Sequence, residues 1–176
     1  MTHSHIAYRH WGIAVTTMAL LLLAATSVTA GERIIKPSAK HAWSETAGWQ
    51  NWRDANGSVT VVLDGANGYL KGYAWAERVG WIKLGVGAGS GPYASTNQTN
   101  WGVNMDAAGN LSGYAWSETC GWLNFNPSHS QVIVDLTSGE FDGYAWGERL
   151  GWVHFKNASP AYNVAIDARG TVLRIR

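Results

Sequence analysis

Aromatic and acidic positions alternate with small and aliphatic ones in four blocks of this chain. Residues 72–84 read GYAWAERVGWIKL, residues 113–125 GYAWSETCGWLNF, and residues 143–155 GYAWGERLGWVHF. Residues 41–52, HAWSETAGWQNW, are a fourth copy with a changed start. The shared element is Ala-Trp-x-Glu-x-x-Gly-Trp. Its alternation has the period of two that a strand requires. A glycine three residues after each glutamate predicts a type I turn closed by a left-handed residue, because glycine takes that conformation without strain. Each block is therefore expected to be a β-hairpin, with Glu118 opposite Trp122 and Trp116 opposite Asn124. One face of the hairpin carries Tyr, Trp, Glu and Trp. The other carries Ala, a small residue (Ser44, Ala76, Ser117, Gly147) and aliphatics such as Ile82 and Leu84, which let another layer approach closely.

A longer repeat surrounds the hairpins. Residues 59–64 (VTVVLD), 103–106 (VNMD) and 132–135 (VIVD) each end in Asp and pass a glycine turn (Gly68, Gly109, Gly139). Each then reaches Leu70, Leu111 or Phe141 before the next hairpin. An Asp at that point can accept a bond from its own backbone two residues on. Residues 164–167 (VAID), Gly170 and Val172 match an incoming strand and the start of the next, whereas the hairpin at residues 41–52 lacks an incoming strand. The two ends are complementary halves, so the chain is expected to close. The predicted fold is all-β: four three-stranded units in a ring, propeller-like, or alternatively a closed barrel or prism. Its fourth unit is completed by pairing of the N- and C-terminal segments. Closure removes exposed sheet edges. Residues 31–40, with Pro37, read as a disordered leader and residues 41–176 as one β-repeat domain. The link at residues 85–100, GVGAGSGPYASTNQTN, reads as a flexible excursion, with Tyr93 and Trp101 as its contact groups should it bind a ligand.

Composition changes this picture in three ways. Arg9 and His10 precede an apolar run at residues 18–25, and Val28-Thr29-Ala30 fits a small-x-small cleavage site. Residues 1–30 are thus expected to be a signal peptide, leaving a secreted, extracellular or periplasmic protein, released or held non-covalently at the cell surface. The apolar run is short for a membrane span and is quickly followed by polar residues; an uncleaved anchor is the less favoured alternative. The formal charge of +1 falls to zero without Arg9, which argues against a nucleic-acid partner; a monomer is expected. The single cysteine, Cys120, excludes an internal disulfide and reads as a small apolar turn residue.

The chain has eleven tryptophans. Eight hold the repeat positions: Trp43, Trp75, Trp116 and Trp146, then Trp49, Trp81, Trp122 and Trp152. They are expected to pack the core, since each ring buries on the order of 200 Å², with the second of each pair partly exposed. The alternative is an exposed platform, with Trp81, Trp101, Trp122, Trp152 and Tyr93 as the candidate ligand contacts. No nucleophile or phosphate-binding motif is present, so no catalytic residue is assigned. Glu45, Glu77, Glu118 and Glu148 share one repeat position and read as structural acceptors for turn N–H or indole N–H groups. His154, two residues after Trp152, has no counterpart in the other copies, which hold Asn51, Lys83 and Asn124 there. With His129, it is the candidate pair for a metal such as copper; two unliganded surface histidines are the simpler reading.

At these residues the chain resembles a widespread, mostly uncharacterised group of secreted bacterial proteins with Gly-Tyr-Ala-Trp-Ser-Glu-x-x-Gly-Trp-x-x-Phe repeats, over residues 41–176. Trp152-Val153-His154 also resembles an element of surface copper-binding proteins of methane-oxidising bacteria. That resemblance implies two histidines binding copper beside a tryptophan open to oxidation to kynurenine, with His129 as the second ligand. The expected function is a secreted or surface-associated, non-catalytic binding module for a small-molecule, glycan or protein ligand. The alternative is an extracellular copper-binding protein using His129 and His154. A third is a glycoside hydrolase or sugar-binding module; a hydrolase needs two carboxyls roughly 5–10 Å apart in a cleft.

Overall fold

The computed structural model describes residues 31–54, 58–64, 67–86 and 91–167. The segment read as a signal peptide, and Gly170 and Val172, lie outside the described residues. All regular structure within them is β. The four repeats form four hairpins. These are β1 (Gly31–Ser44) with β2 (Gly48–Asn51), β5 (Tyr73–Ala76) with β6 (Gly80–Lys83), β8 (Leu111–Ser117) with β9 (Gly121–Asn124), and β12 (Tyr144–Gly147) with β13 (Gly151–His154). Between them run β3 (Thr60–Asp64), β4 (Asn67–Lys71), β7 (Val103–Asp106), β10 (Ile133–Val134) and β11 (Phe141–Asp142). The pair β14 (Lys156–Ala158) and β15 (Ala161–Ile166) follows the fourth hairpin.

The hairpins close into an eight-stranded antiparallel barrel, so the ring is a barrel and not a set of propeller blades. Every junction uses the same register. The last residue of one return strand pairs with the first tryptophan of the next hairpin: Asn51 with Trp75, Lys83 with Trp116, Asn124 with Trp146. The ring closes when His154 pairs with Trp43.

The remaining strands lie outside this ring. Each incoming strand pairs with the approach to its hairpin: β3 with β4, β7 with β8, β10 with β11. At the fourth unit the tail strand β15 pairs with β1. Met105 opposes Leu111, Val134 opposes Phe141 and Ile166 opposes Ile35, each incoming residue being the one before Asp. Ile35 is fully buried and holds the place of Leu111 and Phe141. The second strand of this unit is therefore supplied by residues 35–40, which are no disordered leader. Their apolar Ile35 is drawn into the core, and residues 31–34 also pair with β3. The turn aspartates behave as expected: Asp106 Oδ1 accepts the Ala108 N–H (2.9 Å) and Asp135 Oδ1 that of Thr137 (2.8 Å).

The hairpin register differs from the sequence expectation. Trp116 lies opposite Trp122, not Asn124, and Ser117 opposite Gly121. A three-residue loop placed one residue earlier, at 118–120 and not 119–121, keeps every residue on its expected face but makes the tryptophans direct partners. Their rings meet edge to face at 5.0 Å for Trp43–Trp49, 5.0 Å for Trp75–Trp81 and 4.7 Å for Trp116–Trp122. The Trp49 C=O and N–H both turn to the next hairpin, accepting from the Glu77 N–H and donating to its carboxylate. Trp43–Trp49 is thus a non-hydrogen-bonded pair, the type that brings side chains closest.

Those tryptophans lie on the outside, contrary to the expectation of core packing. An eight-stranded barrel is only wide enough for its own inward side chains, and eight indoles exceed that space. Inside are Ala42, Ala74, Ala115 and Ala145 from the outgoing strands and Ile82, Leu123 and Val153 from the return strands, all buried. Small residues beside large ones fill such a lumen. One end is plugged by Trp52, Phe125, Phe141 and Phe155, with Trp52–Phe155 at 5.1 Å.

Gln50 takes the place of Ile82, Leu123 and Val153 in the first hairpin. Its amide and the Trp52 indole N–H are fully buried without a hydrogen-bond partner among the described residues. Burying an unpaired amide costs free energy that an aliphatic of similar size does not. Gln50→Leu is therefore expected to raise unfolding free energy by about 1–2 kcal/mol in urea titration. The glycines make a second, graded expectation. Gly121 (φ 78°) sits at an open turn, where an added Cβ would be 3.9 Å from the Trp116 ring. At Gly143 (φ 87°) the same atom would fall 2.0 Å from the Gln131 carbonyl oxygen. Gly121→Ala should cost about 1–2 kcal/mol for the left-handed backbone alone. Gly143→Ala should cost at least about 3 kcal/mol by the same titration, because a backbone carbonyl must also shift.

Candidate functional site

Two of the cavities formed by the described residues open on the repeat tryptophans. The first, about 720 Å³, lies over the closing seam, lined by Trp43, Glu45, His129, Tyr144, Trp152, His154 and Tyr162 among others. The residues singled out for copper thus line one cavity. His154 ends β13 and projects outward two positions after Trp152. Its ring stacks on its cross-strand partner Tyr144, centroids 4.1 Å apart and nearly parallel. Nδ1 shares a hydrogen bond with the Tyr162 hydroxyl at 3.0 Å. In the tautomer whose Nδ1–H donates to Tyr162 Oη, Nε2 keeps a free lone pair. Tyr162, on β15, also meets Trp49 edge to face at 5.1 Å. His129 is exposed on the link before β10, and the next residue anchors that link: Ser130 Oγ accepts the Tyr144 N–H at 3.1 Å.

Burial holds the His154 pKa below its ordinary value, opposed in part by the charge of Asp142. The neutral ring is the form that binds a metal. Among the described residues no group of three or more His, Cys, Asp or Glu is arranged to hold a metal ion. The seam cavity brings together two imidazoles, His129 and His154, with Tyr162 hydrogen-bonded to the second.

The second cavity, about 820 Å³, lies between the third and fourth hairpins and is walled by residues 95–98. Trp101 stands edge-on to Trp122 at 5.1 Å. Residues 95–100 are a self-bonded wall and not a plain flexible excursion. Asn100 Oδ1 accepts the N–H groups of Thr96 and Asn97, and Asn97 Oδ1 that of Thr99 (2.8–3.0 Å). Tyr93 is removed from the candidate contacts. It is 6% exposed and donates to the Leu70 carbonyl at 3.0 Å, its ring filling the space over Gly85 and Gly102. Trp101 is also largely buried, though it reaches the cavity wall. Trp122 lines this cavity, Trp152 lines the seam cavity, and Trp81 lines neither.

The repeated glutamates act as acceptors in two cases: Glu77 for the Trp49 N–H (3.1 Å) and Glu118 for the Trp116 indole N–H (3.2 Å). Glu118 and Glu148 both line the second cavity. Tyr144, Tyr162, Trp146 and Gln98 were not among the residues picked from the sequence. Trp146 shares its repeat position with Trp116, a usable signal, whereas Tyr162 reaches the site only through strand pairing. No helix among the described residues is long and apolar enough to cross a membrane. No family model, no curated protein and no solved structure matches this chain.

A single titration tests the seam geometry. His154 favours the neutral form when folded, so its contribution to stability is present above the ordinary histidine pKa of 6.5. That contribution is lost as pH falls through the lower folded value. NMR titration of the His154 ring should give a midpoint below 6.5; a midpoint above it would show that the ring is not enclosed as described.

Proposed function

We propose that this protein is a secreted or surface-associated, non-catalytic binding module, a closed scaffold that holds aromatic side chains out to solvent. The observation that carries this reading is the inverted barrel. Tyr73, Trp75, Trp81, Tyr114, Trp122, Tyr144, Trp146 and Trp152 are all exposed while alanines fill the lumen. Contiguous exposed apolar surface on a folded protein marks a recognition site, and rigid aromatics give contact area at low entropic cost. The ligand is a small molecule, glycan or protein. The test is saturable retention of the purified chain on the envelope or extracellular matrix of its host cells. Exchanging Trp122 and Trp152 for Ala should reduce retention by about tenfold with the fold intact by circular dichroism. Absence of saturable retention, or enzymatic turnover abolished by Glu118→Gln or Glu148→Gln, would overturn the reading.

Copper binding by His129 and His154 is a second reading, favoured by one observation: both rings and Trp152 line the seam cavity. Imidazole donors suit copper. Bound copper would supply one-electron chemistry next to an oxidisable indole; the chain itself orients the His154 ring through Tyr144 and Tyr162, and burial favours its neutral form. Isothermal titration with Cu(I) and Cu(II) should show binding that the double change to Ala at His129 and His154 abolishes. Tyr162→Phe should weaken it by about 10–100-fold, as loss of an outer-shell partner does. Unchanged affinity in the double variant would remove this reading.

A further inference from the structure

We propose that the cavity between the third and fourth hairpins is a glycan site. It would take a neutral oligosaccharide of equatorially substituted pyranoses, such as a β-1,4-linked glucose or N-acetylglucosamine chain. The inference rests on the binding-module reading and adds the place and the ligand class. Four features of the cavity carry it.

The first is the aromatic surface. Trp122 and Trp146, from successive hairpins, leave 39% and 38% of their surface in water. An indole face in that setting gains by covering with apolar C–H groups, and the flat face of an equatorial pyranose is such a surface. The second is the polar complement. Gln98, Glu148 and Arg149 line the same cavity, and their side chains make no hydrogen bond or ion pair among the described residues. An amide, a carboxylate and a guanidinium supply both donors and acceptors, which ring hydroxyls and N-acetyl groups use in both directions. A lipid surface or a wholly apolar ligand would leave these groups stripped of water and unpaired.

The third feature is charge. Two carboxylates, Glu118 and Glu148, and one guanidinium, Arg149, line the cavity, with the Lys83 ammonium 5.9 Å from the Trp101 ring, so no cationic excess draws uronates, sulfated sugars or phosphates. The fourth is preformation. The wall at residues 95–100 is held by its own asparagine side chains, with Trp101 braced on Trp122. Little ordering therefore remains for the ligand to impose. The volume, about 820 Å³, is of the size that takes a small ligand.

The experiment is isothermal titration of the full chain with chitohexaose and cellohexaose, with tryptophan fluorescence as a second readout. At least one should bind, and Trp146→Ala should weaken it by about tenfold. The repeat supplies an internal control for lost hairpin packing. Trp75 holds the equivalent position outside the cavity, so Trp75→Ala should leave affinity within about twofold. Gln98→Ala removes an exposed side chain that holds nothing in the fold, and it should also weaken binding. Equal losses in the Trp75 and Trp146 variants would overturn the assignment. So would no heat or fluorescence change with either sugar up to about 10 mM, or binding to phosphatidylcholine vesicles in place of both sugars. If the sugars fail while tryptophan-dependent retention on host envelopes persists, the glycan site is wrong and the binding-module reading stands.

Discussion

The backbone pairing between the end of one hairpin and the first tryptophan of the next is the contact on which the rest of the molecule depends. It occurs at four equivalent places: Asn51–Trp75, Lys83–Trp116, Asn124–Trp146 and, across the two ends of the domain, His154–Trp43. A two-stranded hairpin alone is at best marginally stable. Joined side to side, four of them leave no free edge in the inner ring. Closure then sets the radius, and the radius sets the composition. Only small residues and medium-sized side chains, aliphatics and Gln50, fit inside, so the repeat indoles are forced outward. There they pair edge to face across the first three hairpins, an arrangement worth about 0.5–1.5 kcal/mol per pair beyond its buried area. Architecture and surface chemistry are thus two results of one constraint.

The repeats make the exterior regular, and the links make it specific. Each sector carries the same tryptophan pair, but a different segment packs over it. At the seam, β15 brings Tyr162 against His154 and Trp49, and the link before β10 brings His129 to the same cavity. Between the third and fourth hairpins, the asparagine-bonded segment at residues 95–100 adds amides beside Trp122 and Trp146. The second hairpin has Lys83 over Tyr73 and Trp101, a cation near two rings. A fourfold scaffold with unequal coverings yields sites that differ.

Much of this was legible in the chain. The motif AWxExxGW, its period of two and its turn glycine specify four hairpins, and the matching halves at the two ends specify closure. Three things were not legible. Alternation distinguishes two faces but not which is inside; that depends on the barrel radius, a property of the assembled ring. The turn sits one residue earlier than the glycine spacing suggests, because direct Trp–Trp pairing favours a register that sequence alone does not weigh. Residues 31–40 look like a leader because their only strong apolar pair is Ile34-Ile35; their role comes from Ile166, more than a hundred residues away. For the same reason the histidine pair was visible as residue types, while its tyrosine neighbours were not.

Amide hydrogen exchange at the seam, resolved by NMR, tests the closed ring most directly. Closure requires the Trp43 and His154 backbone to be as protected as the other three junctions, at Trp75, Trp116 and Trp146. Comparable protection at all four is the expected result. Fast exchange at Trp43 and His154 alone, with the other three protected, would mean an open sheet of four hairpins and would contradict the account.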